Sequence, residues 1–435
     1  MWSRCACGKL LSVAILIGNN DVGSPNPGSP DLDNVVSEAE PPVLSSTEAI
    51  THTFSLVNQV GDGAVAYFYG RLFAENPELR PMFPAAMDAQ RDRLFRALTR
   101  IVHSLSVPEQ MEPYLSQLGL DHRKYGVLAE HYPAVGRALL ATLCRFSGDA
   151  WTPGAEAAWA GAYERATQLM TAAADKSAEH SPPWWSAEVV GHELRTPTLA
   201  VLTLRPEEPF PYRAGQYLSI QSAHWHRVWR PFSVANAPRA DGLLTFHVRA
   251  VPGGWVSSAL VHHTRVGDRV NLGPPQGSMT LSTGSGGGMF CVAGGSGLAP
   301  LKALIEQAIA DSQPHRRRRI RLIVGARCES ELYDLPDLWR LESYYPWLRI
   351  STAVSDDPDY TGVKGMLPDI IARQLPQKDD DVYISGPSPM VTKCTQMLRT
   401  TGQGNWRIHA DLVDPPGELA ARAVDDSIGH ECASL

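Results

Sequence analysis

The sequence predicts a multidomain chain: an all-α domain, then an antiparallel β-barrel, then an α/β domain built on a doubly wound parallel sheet. Three observations carry that prediction. Between Thr47 and Asp175, apolar residues recur at helical spacing with no strand-like alternation. Ser181-Pro182-Pro183-Trp184-Trp185 ends this rhythm, and short β segments separated by Pro and Gly turns follow it. After the Gly/Ser stretch 283–288, apolar runs of strand length alternate with helical patterns, the mark of βαβ units.

Length and composition permit this plan. The chain has 435 residues and 43% hydrophobic content, enough for two or three domains with separate cores. A net charge of -7 gives no footprint for nucleic acid. The one basic run, 315–321, reads as a solvated loop ahead of a strand. Seven cysteines lie scattered, with no CxxC pair or zinc spacing, which suits free thiols in a reducing, cytoplasmic compartment.

In chain order, residues 1–42 read as an unstructured leader. Arg4 and Lys9 precede the apolar stretch Leu10–Ile17, which is short for a membrane span and has no cleavage-type sequence after it. A Pro/Ser/Asn/Asp-rich stretch poor in large apolar residues follows. No stable membrane association is expected. The helical domain, 43–178, shows stripes at Val65, Phe68, Tyr69 and Leu72, then at Leu94, Leu98, Ile101, Val102 and Leu105. A third, short stripe holds Tyr114, Leu115 and Leu118, and a last one Trp159, Tyr163, Ala166 and Met170. The barrel, 183–282, is expected to contain strands 199–204, 216–221, 243–251 and 269–272. The α/β domain, 288–413, has expected strands 289–293, 320–324, 348–354 and 382–385, with a helix over 298–309. Residues 414–435 carry no core pattern and read as a disordered tail.

Several residues suggest chemistry on their own terms. His122 precedes an amphipathic run through Leu128, Tyr132, Val135, Leu139 and Leu143. The ten-residue step to Tyr132 allows its phenol to approach the imidazole. A neutral imidazole that binds iron through one nitrogen usually donates its other N–H to an oriented partner. Gln90 and Leu94 are four apart and share a helix face. Gly294-Gly295-Ser296-Gly297-Leu298-Ala299-Pro300 lies between an expected strand and helix, where a glycine-rich turn cradles a dinucleotide pyrophosphate.

The stretches 67–83 (YFYGRLFAENPELRPMF) and 90–95 (QRDRLF), with His122 to Tyr132, together resemble the haem domain of bacterial flavohaemoglobins. The likeness continues over most of the chain. It implies a globin that holds haem b through His122 as proximal ligand, oriented by Tyr132, with Phe83 wedged against the haem face. Tyr69, Gln90 and Leu94 map to the distal pocket, the first two as hydrogen-bond donors and the third as a gate. Arg230-Pro231-Phe232-Ser233 and Gly253-Gly254-Trp255-Val256-Ser257 resemble the flavin site of the ferredoxin-reductase superfamily. Arg230 is then expected on the FAD diphosphate, Ser233 beside the reactive flavin nitrogen, and Tyr217 lining the same site. Ser385-Gly386-Pro387 after a strand resembles the NAD(P)H site, with the glycine turn at 294–297 on the pyrophosphate.

The resemblance implies an enzyme that passes electrons from NAD(P)H through FAD to haem-bound O2 and converts nitric oxide to nitrate. O2 and NO are the expected small-molecule partners, with a monomer as the expected state. The alternative is a haem-based O2 or NO binding or sensing protein whose reductase half keeps the iron ferrous. The sequence departs from the family pattern in five places. Ala174 stands where a glutamate completes the relay, with Asp175 beside it. Asp121 stands where a lysine precedes the proximal histidine. Phe232 replaces tyrosine and Ser385 replaces cysteine. Ala410-Asp411-Leu412-Val413 follows His409, where an aromatic often covers the flavin.

Overall fold

A computed structural model describes residues 45–282, 287–313, 317–401, 404 and 406–410. The leader and the tail read from the sequence lie outside the described residues. The helical domain comprises α1 (Ser46–Val60), α2 (Asp62–Glu75), α3 (Asp88–His103), α4 (Pro108–Arg123), α5 (Tyr132–Ser147) and α6 (Pro153–Ala178). Ser45 and Glu48 cap the start of α1 reciprocally. Thr152 caps α6, with Pro153 at the first helical position. Phe54, Phe68, Tyr69, Leu72, Leu139, Leu143 and Trp159 form one core, and the Trp159 indole donates to the buried Thr53 hydroxyl at 2.9 Å. Helices α4 and α6 cross where Gly119 meets Met170. A Cβ there would lie 2.2 Å from the Met170 carbonyl oxygen, so only glycine permits the approach.

The barrel has β1 (Trp185–Thr196), β2 (Leu199–Pro206), β3 (Tyr217–Ser222), β4 (Arg230–Ser233), β5 (Leu244–Arg249), α7 (Trp255–His262) and β6 (Arg269–Leu272). Its sheet order is β4-β3-β6-β1-β2-β5, and every pair is antiparallel. A bridge between Val234 and Phe246 brings the two end strands together, so the sheet nearly closes. Strand β1 was not anticipated. It opens on tryptophan after two prolines and carries Glu188, His192, Glu193 and Arg195, which breaks the apolar alternation.

The third domain has β7 (Met289–Gly294), α8 (Leu298–Ala310), β8 (Ile320–Ala326), α9 (Leu335–Tyr344), β9 (Leu348–Val354), β10 (Val363–Lys364), α10 (Leu367–Arg373), β11 (Asp381–Ser385), α11 (Ser388–Thr401) and β12 (Arg407–Ala410). The parallel order β10-β9-β8-β7-β11-β12 reverses direction of growth at β7, so the sheet is doubly wound. The ligand crevice of such a sheet lies at the carboxyl ends of the strands. The basic run is not a solvated loop. Arg318 pairs with Asp381 at 2.5 Å and Arg319 with Asp380 at 2.8 Å, while Arg321 donates to the Leu375 carbonyl. Both aspartates are buried and need a cation, and sequence spacing does not reveal them as partners. Among the described residues no helix is long and apolar enough to cross a membrane.

Candidate functional site

The residues singled out in the helical domain fall on α2 to α6. Tyr69, on α2, is buried among Phe68, Phe73 and Phe83, with ring centroids 4.9, 5.8 and 5.7 Å away. Phe83 and Leu94 pack against the same core. The Tyr69 hydroxyl donates to the Gln90 carbonyl over 3.4 Å, a long contact that leaves the phenol available to a better acceptor. Burial pushes its pKa up to about 12, so it stays a neutral donor through the physiological range.

His122 lies in the last turn of α4, not at the start of a helix. Its Nδ1 is 2.6 Å from the Leu118 carbonyl, four residues back, so Nδ1 carries the proton and donates. Burial lowers the imidazole pKa and favours the neutral ring. Tyr132 is therefore not the hydrogen-bond partner of His122 in this structure. A helical side chain leans toward the helix N-terminus, which brings the imidazole over its own i−4 carbonyl. Tyr132 instead begins α5, and its carbonyl accepts from the Tyr163 hydroxyl at 2.7 Å. Burial raises the Tyr132 pKa and the Asp175 charge adds to the effect. Asp175 is exposed on α6 and makes no hydrogen bond to Tyr132 among the described residues. These features suit haem: a neutral imidazole with its tautomer set by a main-chain carbonyl, in a helical domain whose core holds a phenol donor among apolar side chains.

Around the flavin motif, Tyr217 pairs with Ser233 across β3 and β4, and Leu218 pairs with Phe232. Directly paired residues share a face, so Tyr217 and Ser233 point the same way. Phe232 packs partly against the barrel core, and Pro231 is exposed. Arg230 is partly buried, donates to the Trp229 carbonyl at 3.0 Å, and has no carboxylate partner among the described residues. Burial lowers its pKa, and the Arg93 charge from α3 lowers it further. The neighbouring Trp229 indole N–H is buried without a partner. Two guanidinium groups without an acid, and an orphaned donor beside them, suit an anionic diphosphate. Gly253 has φ of +72° and open space at its Cβ position. Gly254 is tight, its Cβ position lying 2.5 Å from the Ser257 hydroxyl. Ser257 spends that hydroxyl on the Gly254 carbonyl, and Val256 is in the barrel core, so both hold the turn in shape.

The glycine turn of the third domain starts at the end of β7. Gly295 has φ of +53° and Gly386, after β11, has +154°. A Cβ on Gly294 would strike the Met390 sulfur at 2.6 Å, and one on Gly297 the Ser385 carbonyl oxygen at 2.4 Å. The two turns thus press together at the strand ends, with Ser385 buried between them. Leu298, Ala299 and Pro300 are buried in the helix–sheet core and support the turn from below, while Ser296 sits in the turn itself. Backbone amides at such a turn suit a dinucleotide pyrophosphate. Arg327 follows β8, and Glu331 binds its guanidinium at 2.6 Å and also meets Arg249 at 3.5 Å. The Arg327 contacts hold the Glu331 pKa below the usual carboxylate range.

Sequence reasoning missed how the domains join. Asp121, the residue before His122, accepts from Gln276 of the barrel at 2.6 Å and from Lys124 at 3.1 Å. Lys124 is buried and also reaches the Ser219 hydroxyl on β3 at 3.4 Å. Arg227, with φ of +65°, donates to the Tyr125 carbonyl at 2.9 Å. On the far side of the barrel, His247 and Tyr333 share a buried hydrogen bond of 2.8 Å. The buried Asp334 takes Lys302 at 2.6 Å and lies 3.8 Å from Arg195. These contacts span large sequence separations, and only the displaced aspartate at 121 hinted at any of them.

The comparisons with known proteins follow the same division. Residues 66–170 match the globin model, 186–281 the oxidoreductase FAD-binding domain, and 291–396 the oxidoreductase NAD-binding domain. A flavohaemoprotein of Bordetella parapertussis is 27% identical over 403 residues, spanning 84% of this chain and 96% of that protein. One from Bacillus subtilis is 26% identical over 400 residues. The reductase half is 31% identical over 246 residues to the ferredoxin–NAD(P)+ reductase component of the naphthalene 1,2-dioxygenase system of Pseudomonas putida, covering 73% of it. In fold, the chain is similar to the flavohaemoglobin of Malassezia yamatoensis, at 20% identity and a TM-score of 0.67, over 84% of this chain and 98% of that one. A globin domain followed in one chain by FAD- and NAD-binding oxidoreductase domains, with relatives alike over nearly their whole length, places this NAD(P)H-dependent oxidoreductase in the flavohaemoglobin family.

Proposed function

We propose that the chain is a nitric oxide dioxygenase-like enzyme of the cytoplasm that consumes NO, O2 and NAD(P)H and releases nitrate. Two NO and two O2 with one NAD(P)H give two nitrates, NAD(P)+ and a proton. The observation that carries the reading is the junction at Asp121. The residue next to the proposed iron ligand accepts a hydrogen bond from Gln276 of the barrel, so the two halves meet directly beside that ligand. Bound FAD would supply the conversion between two-electron hydride and single-electron chemistry, and bound haem a site for a diatomic gas.

The chain's own residues do the rest. Arg230, Gly253 and Gly254 hold the diphosphate, and Tyr217 and Ser233 line the flavin. The turns at 294–297 and 385–387 bring the nicotinamide dinucleotide to the strand ends. His122 donates Nδ1–H to Leu118 and keeps Nε2 for the metal. Tyr69 offers its phenol proton to the gas, Gln90 stands beside it, and Phe83 and Leu94 keep the pocket dry. The alternative, a gas-sensing protein with a maintenance reductase, draws on the exposed Asp175, which is not hydrogen-bonded to Tyr132. Under that reading no carboxylate relay strengthens the proximal ligand.

The separating experiment is stopped-flow spectroscopy of protein loaded with haem and FAD, given NADH, air and NO. Nitrate formed in proportion to NADH over many turnovers supports the dioxygenase. Reduction and oxygen binding without NO-driven turnover transfers the case to the sensor.

A second expectation concerns Tyr69→Phe. Loss of one buried hydrogen bond worth roughly 1.5–3 kcal/mol raises the O2 dissociation rate about 10- to 100-fold. Because the phenol pKa is raised, the donor is intact below it and lost only above. The wild-type rate should then be flat from about pH 6 to about pH 10. Laser photolysis or O2-scavenger mixing measures both, and an unchanged rate in the variant removes Tyr69 from the pocket.

A further inference from the structure

Two exposed tryptophans stack on each other beside the flavin motif. The rings of Trp225 and Trp255 lie with centroids 4.8 Å apart and planes at 21°. Relative exposures of 36% and 45% leave ring surface open to solvent. Stacked together they make a contiguous apolar surface, unlike the singly exposed hydrophobics normal on a protein. The two residues come from different loops, so neither local sequence explains the pairing. Trp255 is the first residue of α7, immediately after Gly253 and Gly254. Trp225 lies in the connection between β3 and β4, five residues before Arg230.

Their place along the chain gives the pair a meaning. Read backward along β4 and its approach, the chain passes Ser233, then Arg230, then Trp225. Read across the barrel end, it meets the open Gly253 backbone and then Trp255. Ser233 belongs with the isoalloxazine, and Arg230 with the diphosphate and the glycine turn. The next part of a flavin dinucleotide beyond its diphosphate is the adenosine. We propose that the Trp225–Trp255 stack is the platform for the adenine ring of FAD. This rests on the assignment of the site at 230–233 and 253–257 to FAD. An adenine laid on an exposed ring extends the stack by one member, and stacking of a base on an aromatic side chain needs no hydrogen-bond readout.

The loop that carries Trp225 is held ready for this. The Val228 N–H donates to the Trp225 carbonyl, and the Trp225 N–H to the Ser222 carbonyl. The Ser222 hydroxyl meets the His224 imidazole at 3.3 Å, and the His224 ring lies 6.1 Å from that of His263, just past α7. These local hydrogen bonds give the loop a defined turn with Trp225 at its corner.

FMN ends before the adenine, so it serves as the control. Titration of the full-length apoprotein with FAD and with FMN, followed by flavin fluorescence, gives the ratio of the two affinities. We expect wild type to favour FAD, and Trp225→Ala and Trp255→Ala each to cut that preference about tenfold, with FMN affinity unchanged. Trp255→Phe should retain most of it. Equal losses for FAD and FMN, or an unchanged ratio in the double variant, overturn the adenine platform. Failure of wild type to bind FAD overturns the site assignment itself. A fall in melting temperature with the ratio intact marks the pair as structural and also overturns the proposal.

Discussion

His122→Ala is expected to give a protein that retains FAD and loses haem. The Soret band disappears, while NADH-driven reduction of ferricyanide, which needs only the flavin, stays within about twofold of wild type. The argument rests on one ring. His122 is neutral, with its Nδ1 proton committed to the Leu118 carbonyl, so Nε2 is the nitrogen left for a metal. His131, the next histidine in the chain, uses Nδ1 to accept from the Leu128 N–H and stands at the start of α5. The alanine leaves a cavity of imidazole shape, and millimolar imidazole should restore part of the Soret absorbance. A variant that keeps full haem content would show that the iron is held elsewhere.

The second large effect belongs to the nicotinamide domain. Gly297→Val is expected to raise the KM for NADH more than about tenfold, with haem and flavin content unaffected. The Cβ of any side chain at 297 would sit 2.4 Å from the Ser385 carbonyl oxygen and 2.5 Å from the Gly386 nitrogen. Both are main-chain atoms at the end of the buried strand β11 and cannot rotate away. Overpacking of this kind costs about 1–3 kcal/mol, and relief requires the glycine turn to shift, away from the place proposed for the pyrophosphate. Gly253→Ala is the contrast. Its Cβ position is open, so the variant bears only the strain of a positive φ, roughly 1–2 kcal/mol. Stopped-flow flavin reduction at varied NADH measures the first effect. A Gly297→Val protein with normal NADH kinetics would detach this turn from the nucleotide.

What the sequence made legible follows from locality. Strands β6 and β9 were read at their full bounds, and β7 and β8 to within a residue or two, because apolar runs between turn residues are local signals. The same logic failed at β1, whose charged residues belong to a strand with one open face, and at β4, a strand of four residues with a proline inside. The site residues were legible as types and spacings. Their partners were not. His122 turned to a carbonyl one helical turn back, an option open to any helical histidine. The cations of the basic run found two buried aspartates some sixty residues away. Lys124, buried between Asp121 and Ser219, carries no sequence signal of its own. In each case the deciding contact is set by tertiary packing, which sequence spacing alone does not encode.

The seam through Asp121, Lys124 and Arg227 bears on how such a chain is inherited. The reductase half resembles free-standing electron-transfer components, as if it were an interchangeable part. Ser219, Gln276 and Arg227 of that half, however, engage a carboxylate, an ammonium and a main-chain carbonyl within three residues of His122. A globin transplanted onto a different reductase would leave Lys124 without one of its two partners and Asp121 without its amide donor. The two halves therefore meet through specific polar contacts, and exchanging one removes hydrogen-bond partners from groups of the other.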